Sequence, residues 1–200
     1  MTKPVIIGLT GSIGCGKSTI MATLVALGAE GIDADRVSHA VMAPGAPAYA
    51  AVLAEFGADL APDGGIIDRR LLAGRVFGDA AALARLEAIT HPAVDKAVRD
   101  RVARATAPLV AVEAIKLFEA GLSSTLCDEV WVADCPPATQ IARLAATRAM
   151  PADEVARRRA SQMPAEEMRA RAGRVIDTSG TLAHTRMQTL AAWLDLGLPL

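Results

Sequence analysis

The sequence predicts an α/β sandwich, a parallel five-stranded sheet flanked by helices. Two observations carry this. Short continuous apolar runs, the pattern of strands buried on both faces, alternate with segments of helical periodicity. The first of these runs, Val5-Ile6-Ile7-Gly8-Leu9, leads through Gly11-Ser12-Ile13-Gly14-Cys15-Gly16-Lys17-Ser18 into a helix expected from Lys17 to about Leu27. That is the strand, glycine-rich turn and helix of a phosphate cradle, with the spacing G-x-x-x-x-G-K-[ST] of a P-loop NTPase fold.

Each position of the cradle has a physical purpose. Gly11, Gly14 and Gly16 admit backbone conformations closed to residues with a Cβ, so that successive N–H groups from Gly11 to Thr19 turn toward an anion. Lys17 brings a full positive charge to the β- and γ-phosphates, Ser18 offers a hydroxyl to Mg²⁺, and the helix start adds free N–H groups and its positive dipole end. A nucleoside triphosphate and Mg²⁺ are the ligands this predicts.

The whole chain bounds the rest. Two hundred residues, 52% of them hydrophobic, suffice for a single domain with a substantial core and small appended parts. A net charge of −1 argues against a nucleic-acid scaffold, although all but four of the 21 basic residues are arginine, the side chain suited to bidentate contact with phosphate. Cys15, Cys127 and Cys135 are too few and too scattered for a disulfide framework or a zinc site, which points to a reducing cytoplasm. Met1-Thr2-Lys3-Pro4 leads straight to the first strand without a signal segment, and no apolar run approaches the length of a membrane span. A soluble protein, a monomer or weak homo-oligomer with small-molecule substrates, is expected, with neither membrane nor nucleic acid as partner.

Ala29-Glu30-Gly31-Ile32-Asp33 reads as a second strand that delivers Asp33 and Asp35 to the carboxyl edge of the sheet, where open α/β folds bind ligands. Either carboxylate could cap a helix beginning near Arg36; as a pair after a phosphate loop, they suit proton acceptance from a phosphoryl acceptor and the holding of metal or substrate. Pro44-Gly45-Ala46-Pro47 breaks that helix, and Ala48 to Phe56 makes the next. Asp68 is placed to cap a helix from Arg69 to Phe77. Helices from Ala80 to Ile89 and Pro92 to Thr106 are expected to be separated at Thr90-His91-Pro92, with His91 at the N-cap as a local cap or a substrate contact.

Leu109-Val110-Ala111-Val112 is a third strand ending at Glu113, which serves either Mg²⁺, through water, or a salt bridge. Lys116 and Glu119 follow on an expected short helix. Glu129 to Asp134 is a fourth strand, and Pro136-Pro137 opens a helix through Arg148. Arg143, Arg148, Arg157, Arg158 and Arg159 crowd the helical hairpin that follows, hinged at Met150-Pro151. Such a run is either a solvated face or a lid that closes over the triphosphate. Arg174 to Asp177 is the fifth strand and Leu182 to Leu194 the last helix.

Taken together these residues resemble the dephospho-coenzyme A kinases. The resemblance runs through Gly8 to Thr19, Ile32-Asp33-Ala34-Asp35, Pro44-Gly45, Phe56-Gly57, Gly65-Ile66-Ile67-Asp68-Arg69, Ile89-Thr90-His91-Pro92, Leu117-Phe118-Glu119, Gln140 with Arg143-Leu144, Gln162, and Val175-Ile176-Asp177 with Ser179-Gly180. It implies ATP-dependent phosphorylation of the ribose 3′-hydroxyl of dephospho-CoA, the last step of coenzyme A synthesis. It also implies a core at 1–57, 108–135 and 165–200, a helical CoA-binding insertion at 58–107 and a lid at 136–164. By the same resemblance Asp35 is the general base, Thr10, Asp33, Asp68, Arg69 and His91 hold dephospho-CoA, and Arg143 with Arg148 meets the ATP phosphates. The family commonly carries an Asp and an Asn near the last strand where this chain has Gly173 and Thr178.

Overall fold

The computed structural model describes residues 3–119 and 125–199. Five strands, β1 (Val5–Thr10), β2 (Glu30–Asp33), β3 (Leu109–Glu113), β4 (Glu129–Asp134) and β5 (Arg174–Asp177), form one sheet in the order β2-β3-β1-β4-β5. Every pairing in it is parallel. The apolar runs fall where strands buried on both faces require them: Ile6, Ile7, Leu9 and Leu109 to Val112 are all at most 2% exposed.

Alternation along β1 divides its side chains between the two faces. Ile7 and Leu9 pack with Ile20 and Leu24 of α1 (Lys17–Ala26), with Trp131, and with Trp193 of the C-terminal helix Leu182–Asp195. Gly8 points the other way, and a methyl group there would come within 2.5 Å of Leu117 Cδ2. The glycine in the middle of β1 therefore makes room for the turn that follows β3.

The chain divides into two compact units, Met1–Asp33 with Arg104–Leu200, and Ala34–Ala103. The first holds the sheet, α1 and the later helices. The second is helical: α2 (Ala34–Val41), α3 (Tyr49–Phe56), α4 (Arg69–Val76) and nearly all of α5 (Ala80–Arg104). Within it, Asp68 Oδ1 accepts from the N–H groups of Arg70 and Leu71 at 2.8 and 3.0 Å, the expected cap of α4. Tyr49 Oη donates to Gly65 O at 2.7 Å, and Arg75 bonds both Phe56 O and the Asp59 carboxylate.

Three local expectations are corrected. The break at Thr90-His91-Pro92 does not occur: α5 runs unbroken for 25 residues with Pro92 inside it. Thr90, Val94, Val98 and Val102 bury one continuous face, and that burial outweighs the backbone bond that proline forfeits. His91 is therefore no N-cap but an exposed residue in mid-helix. The helix after β2 starts at Ala34 rather than near Arg36, so Asp35 stands in its first turn. Finally, Ile115 to Glu119 form turns, not a helix.

Candidate active site at the phosphate loop

The loop between β1 and α1 takes the backbone form its glycines allow. Gly11, Gly14 and Gly16 have φ of 143°, 79° and 76°. At Gly11 a Cβ would lie 2.3 Å from the carbonyl oxygen of Ala133, so here the absence of a side chain is a packing requirement as well as a conformational one. Cys15 N donates to Ser12 O at 3.1 Å and Thr19 N to Gly16 O at 3.0 Å, which close the loop onto the start of α1. Lys17 is buried, and its Nζ donates to Gly11 O at 2.7 Å and Ser12 O at 3.4 Å, so the ammonium is held inside the ring of the loop.

Two later helices of the first unit, α6 (Pro137–Arg148) and α7 (Ala152–Ala160), support the loop from outside, and α8 (Ala165–Arg171) follows them. Ile13 at the loop tip is buried against Leu144, Met150 and Val155. Its N–H donates to Gln162 Oε1 at 3.1 Å. The arginine-rich hairpin thus shares a small hydrophobic cluster with the tip of the cradle. Helix α8 was not anticipated, although Pro164 followed by Glu166 and Glu167, with Arg169 and Arg171 in the last turn, is a legible helix signature.

Arg143 reaches back from α6 to the loop. Its Nη2 donates to Thr178 O, and its Nη1 lies 3.8 Å from Cys135 Sγ. Thr178, just past β5, is buried; its Oγ1 is 2.8 Å from Cys15 O and 3.0 Å from Asp134 O. A cavity of about 310 Å³ opens here, with Gly14, Gly16, Ser18, Arg143, Arg148 and Thr178 among its walls. The structure so brings together the predicted cradle and both predicted arginines, Arg143 half-buried and Arg148 exposed.

The carboxyl edge of the sheet lines up the remaining predicted residues of this unit. Glu113 stands in register with Leu9 on one side and Asp33 on the other, and both carboxylate residues are half-buried. Thr10 is fully buried and donates its hydroxyl to Ile115 O at 3.2 Å. Ser18 is exposed at the first turn of α1. A hydroxyl and carboxylates are hard oxygen donors that suit Mg²⁺, which takes few protein ligands and leaves the rest to water and phosphate. No three or more His, Cys, Asp or Glu among the described residues are grouped as a metal cage. In the second unit Asp35, Asp68, Arg69 and His91 are all exposed, and Asp68 caps α4.

The sequence offers Cys135 only as one of three scattered cysteines, with no site attached to it. It follows β4 directly and is buried, with its Sγ 3.6 Å from that of Cys15 in the loop. The hydrogen bond from Cys15, the Thr178 hydroxyl and the Arg143 guanidinium draw the Cys135 thiol down to about 7, against burial, whereas Cys15 is pushed well above the ordinary thiol range by the same bond and by desolvation. Cys127, half-buried beside Asp128, is pushed up to about 11 by desolvation and by that carboxylate. A separation of 120 positions hides the Cys15–Cys135 pair from any local pattern.

Residues 5–184 match the family model described as dephospho-CoA kinase. The chain is 40% identical over 193 residues to the dephospho-CoA kinase of Geobacter metallireducens, covering 95% of this chain and 96% of that one. A crystal structure of TT1252 from Thermus thermophilus superposes with a TM-score of 0.88 at 33% identity, covering 99% and 100% of the two chains. At the level of fold alone, shikimate kinase from Acinetobacter baumannii in complex with shikimate superposes with a TM-score of 0.58 at 16% identity, over 98% and 96% of the chains.

Proposed function

The chain belongs to the dephospho-CoA kinase family, and from that premise we propose that it transfers the γ-phosphoryl group of ATP to the ribose 3′-hydroxyl of dephospho-CoA, giving coenzyme A and ADP. The observation that carries this reading is the match along residues 5–184, which takes in the helical unit and the arginine hairpin as well as the phosphate loop. The loop alone would serve any triphosphate enzyme.

In this reading the N–H groups from Gly11 to Thr19 and the Lys17 ammonium hold the ATP phosphates, and Arg143 with Arg148 neutralises charge from the hairpin side. Asp35 orients the acceptor hydroxyl and takes its proton. Thr10, Asp33, Asp68, Arg69 and His91 hold dephospho-CoA, with residues 58–107 as its binding insertion and 136–164 as the lid. Ser18 and Glu113 would hold Mg²⁺, which when bound supplies positive charge at the phosphate oxygens. Because the transition state of phosphoryl transfer is loose, positioning and fixed charge do most of the work. A lid that excludes water also keeps ATP from futile hydrolysis.

No helix among the described residues is long and apolar enough to cross a membrane, and we place the enzyme in the cytoplasm with its three cysteines reduced. A steady-state assay with dephospho-CoA and ATP tests the reading, with nucleoside monophosphates, shikimate and pantetheine as rival acceptors. ADP release that depends on dephospho-CoA, with 3′-phosphorylated product by mass spectrometry, is expected. Equal turnover with a rival acceptor, or ADP release without any acceptor, would overturn it.

A further inference from the structure

The geometry points to a modification site inside the phosphate loop: Cys15 and Cys135 form a dithiol that a hydroperoxide oxidises to a disulfide, disabling nucleotide binding until a thiol reductant restores it. The two Sγ atoms are 3.6 Å apart, so modest side-chain movement brings them to bonding distance. Each sits on an element that the nucleotide site depends on. Cys15 lies between Gly14 and Gly16 of the loop, and its carbonyl is held by Thr178 Oγ1. Cys135 faces Arg143 Nη1 at 3.8 Å.

The chemistry balances with one molecule of hydrogen peroxide. The Cys135 sulfur attacks a peroxide oxygen; an S–O bond forms, the O–O bond breaks, and the departing hydroxide is protonated to water. The Cys15 sulfur then displaces the sulfenic hydroxyl, forming the S–S bond and releasing a second water. Both thiol protons end in water, the two sulfurs are oxidised and the two peroxide oxygens reduced. The lowered proton affinity of Cys135, about 7, makes it the attacking partner near neutral pH, and Cys15 the resolving one.

Position explains both the selectivity and the consequence. Both thiols are buried, and the cavity lined by Gly14, Gly16, Arg143 and Thr178 borders the two neighbours of Cys15 and the guanidinium that faces Cys135; in the proposal a small oxidant enters from that side, which a bound nucleotide would cover. Cys127 is half-buried beside the Asp128 carboxylate, which together with desolvation raises its thiol to about 11, so in the proposal it stays reduced. Once linked, Cys135 no longer offers Arg143 a thiolate, and Cys15 is tied to the end of β4 just where the loop must adapt its N–H groups to phosphate.

The test needs only the whole protein, hydrogen peroxide and dithiothreitol. Nucleotide-free protein is treated with a few equivalents of peroxide, alkylated under denaturing conditions, and mapped by mass spectrometry, while ATP binding is followed by calorimetry. Joined Cys15 and Cys135 peptides, an alkylated Cys127, ATP affinity down by about tenfold or more with recovery in dithiothreitol, and slower oxidation in saturating ATP are expected. Cys127→Ser should behave as the parent, and Cys135→Ser should give no linked species. Three alkylated thiols after peroxide, a link involving Cys127, unaltered ATP affinity in the linked protein, or equal oxidation rates with and without ATP would each overturn the proposal. ATP binding is read without acceptor, so these outcomes stand apart from whether dephospho-CoA is the substrate.

Discussion

Thr178 Oγ1 lies 2.8 Å from the carbonyl oxygen of Cys15, so the residue that follows the last strand holds the phosphate loop 163 positions upstream. The same residue offers its own carbonyl to Arg143 and its N–H to Asp134 O at 2.8 Å. One buried threonine thus joins loop, fourth strand, fifth strand and hairpin.

Replacing that hydroxyl by a methyl group of similar shape, Thr178→Val, leaves a buried carbonyl short of a partner. A loss of about 1–3 kcal/mol in stability is expected, together with a raised KM for ATP, since the loop loses its lateral hold. Urea denaturation and initial-rate kinetics measure the two; an unchanged KM would mean that the bond matters to folding only.

Two glycines with positive φ should respond differently to alanine. Gly45→Ala, with φ of 77° and nothing within 4 Å of the added Cβ, costs about 1–2 kcal/mol of backbone strain and leaves activity intact. Gly11→Ala sets that carbon 2.3 Å from Ala133 O, and loss of ATP binding or of soluble protein is expected. Thermal melts and nucleotide titration separate the cases.

Asp35→Asn keeps size and removes the proton acceptor. For an exposed residue in the first turn of α2 the fold should be unaffected, while kcat falls by about 10²–10⁴, the usual share of general base catalysis. KM for ATP should stay near that of the parent. A kcat equal to the parent's would remove Asp35 as the base.

Pro92→Ala returns a backbone donor to the middle of α5 at an exposed position. Higher stability, by about 1–3 kcal/mol, is expected from the propensity difference between the two residues. A lower urea midpoint would show that the proline ring is packed to advantage.

Stability should depend on pH through Cys135. Its folded value, about 7, lies below the ordinary 9.0, so its contribution is fully present above pH 9 and is lost as pH falls through 7. Cys15 is shifted the opposite way and begins to oppose folding above pH 9. Relative to Cys135→Ser, the parent should gain stability from pH 7 to 9, with a slope below about 1.4 kcal/mol per pH unit. Urea midpoints of both proteins across that range should diverge; parallel curves would refute the shift.

The sheet, its strand boundaries and the cradle were legible in local order. Buried parallel strands advertise themselves as unbroken apolar runs, and the glycine, lysine and serine spacing of the loop encodes a backbone shape within eight residues. Asp68 capping α4 was legible for the same reason, a cap being decided by its nearest neighbours. In sequence Pro92 reads as a break because its local cost is visible there, whereas the buried face of Thr90, Val94, Val98 and Val102 that overrides it is seen only once the helix has something to pack against.

The same distinction separates the parts of the site. The anion cradle follows from residues adjacent in sequence, and its chemistry could be named from them. The supports of that cradle could not: Thr178 on Cys15, Gln162 on Ile13, Arg143 beside Cys135, and the Cys15–Cys135 contact all join residues far apart in sequence. Such contacts exist because a parallel sheet delivers the carboxyl ends of successive strands to one edge, where side chains of no local pattern meet. Local backbone preference decided what the loop could bind, and long-range packing decided what holds it in place.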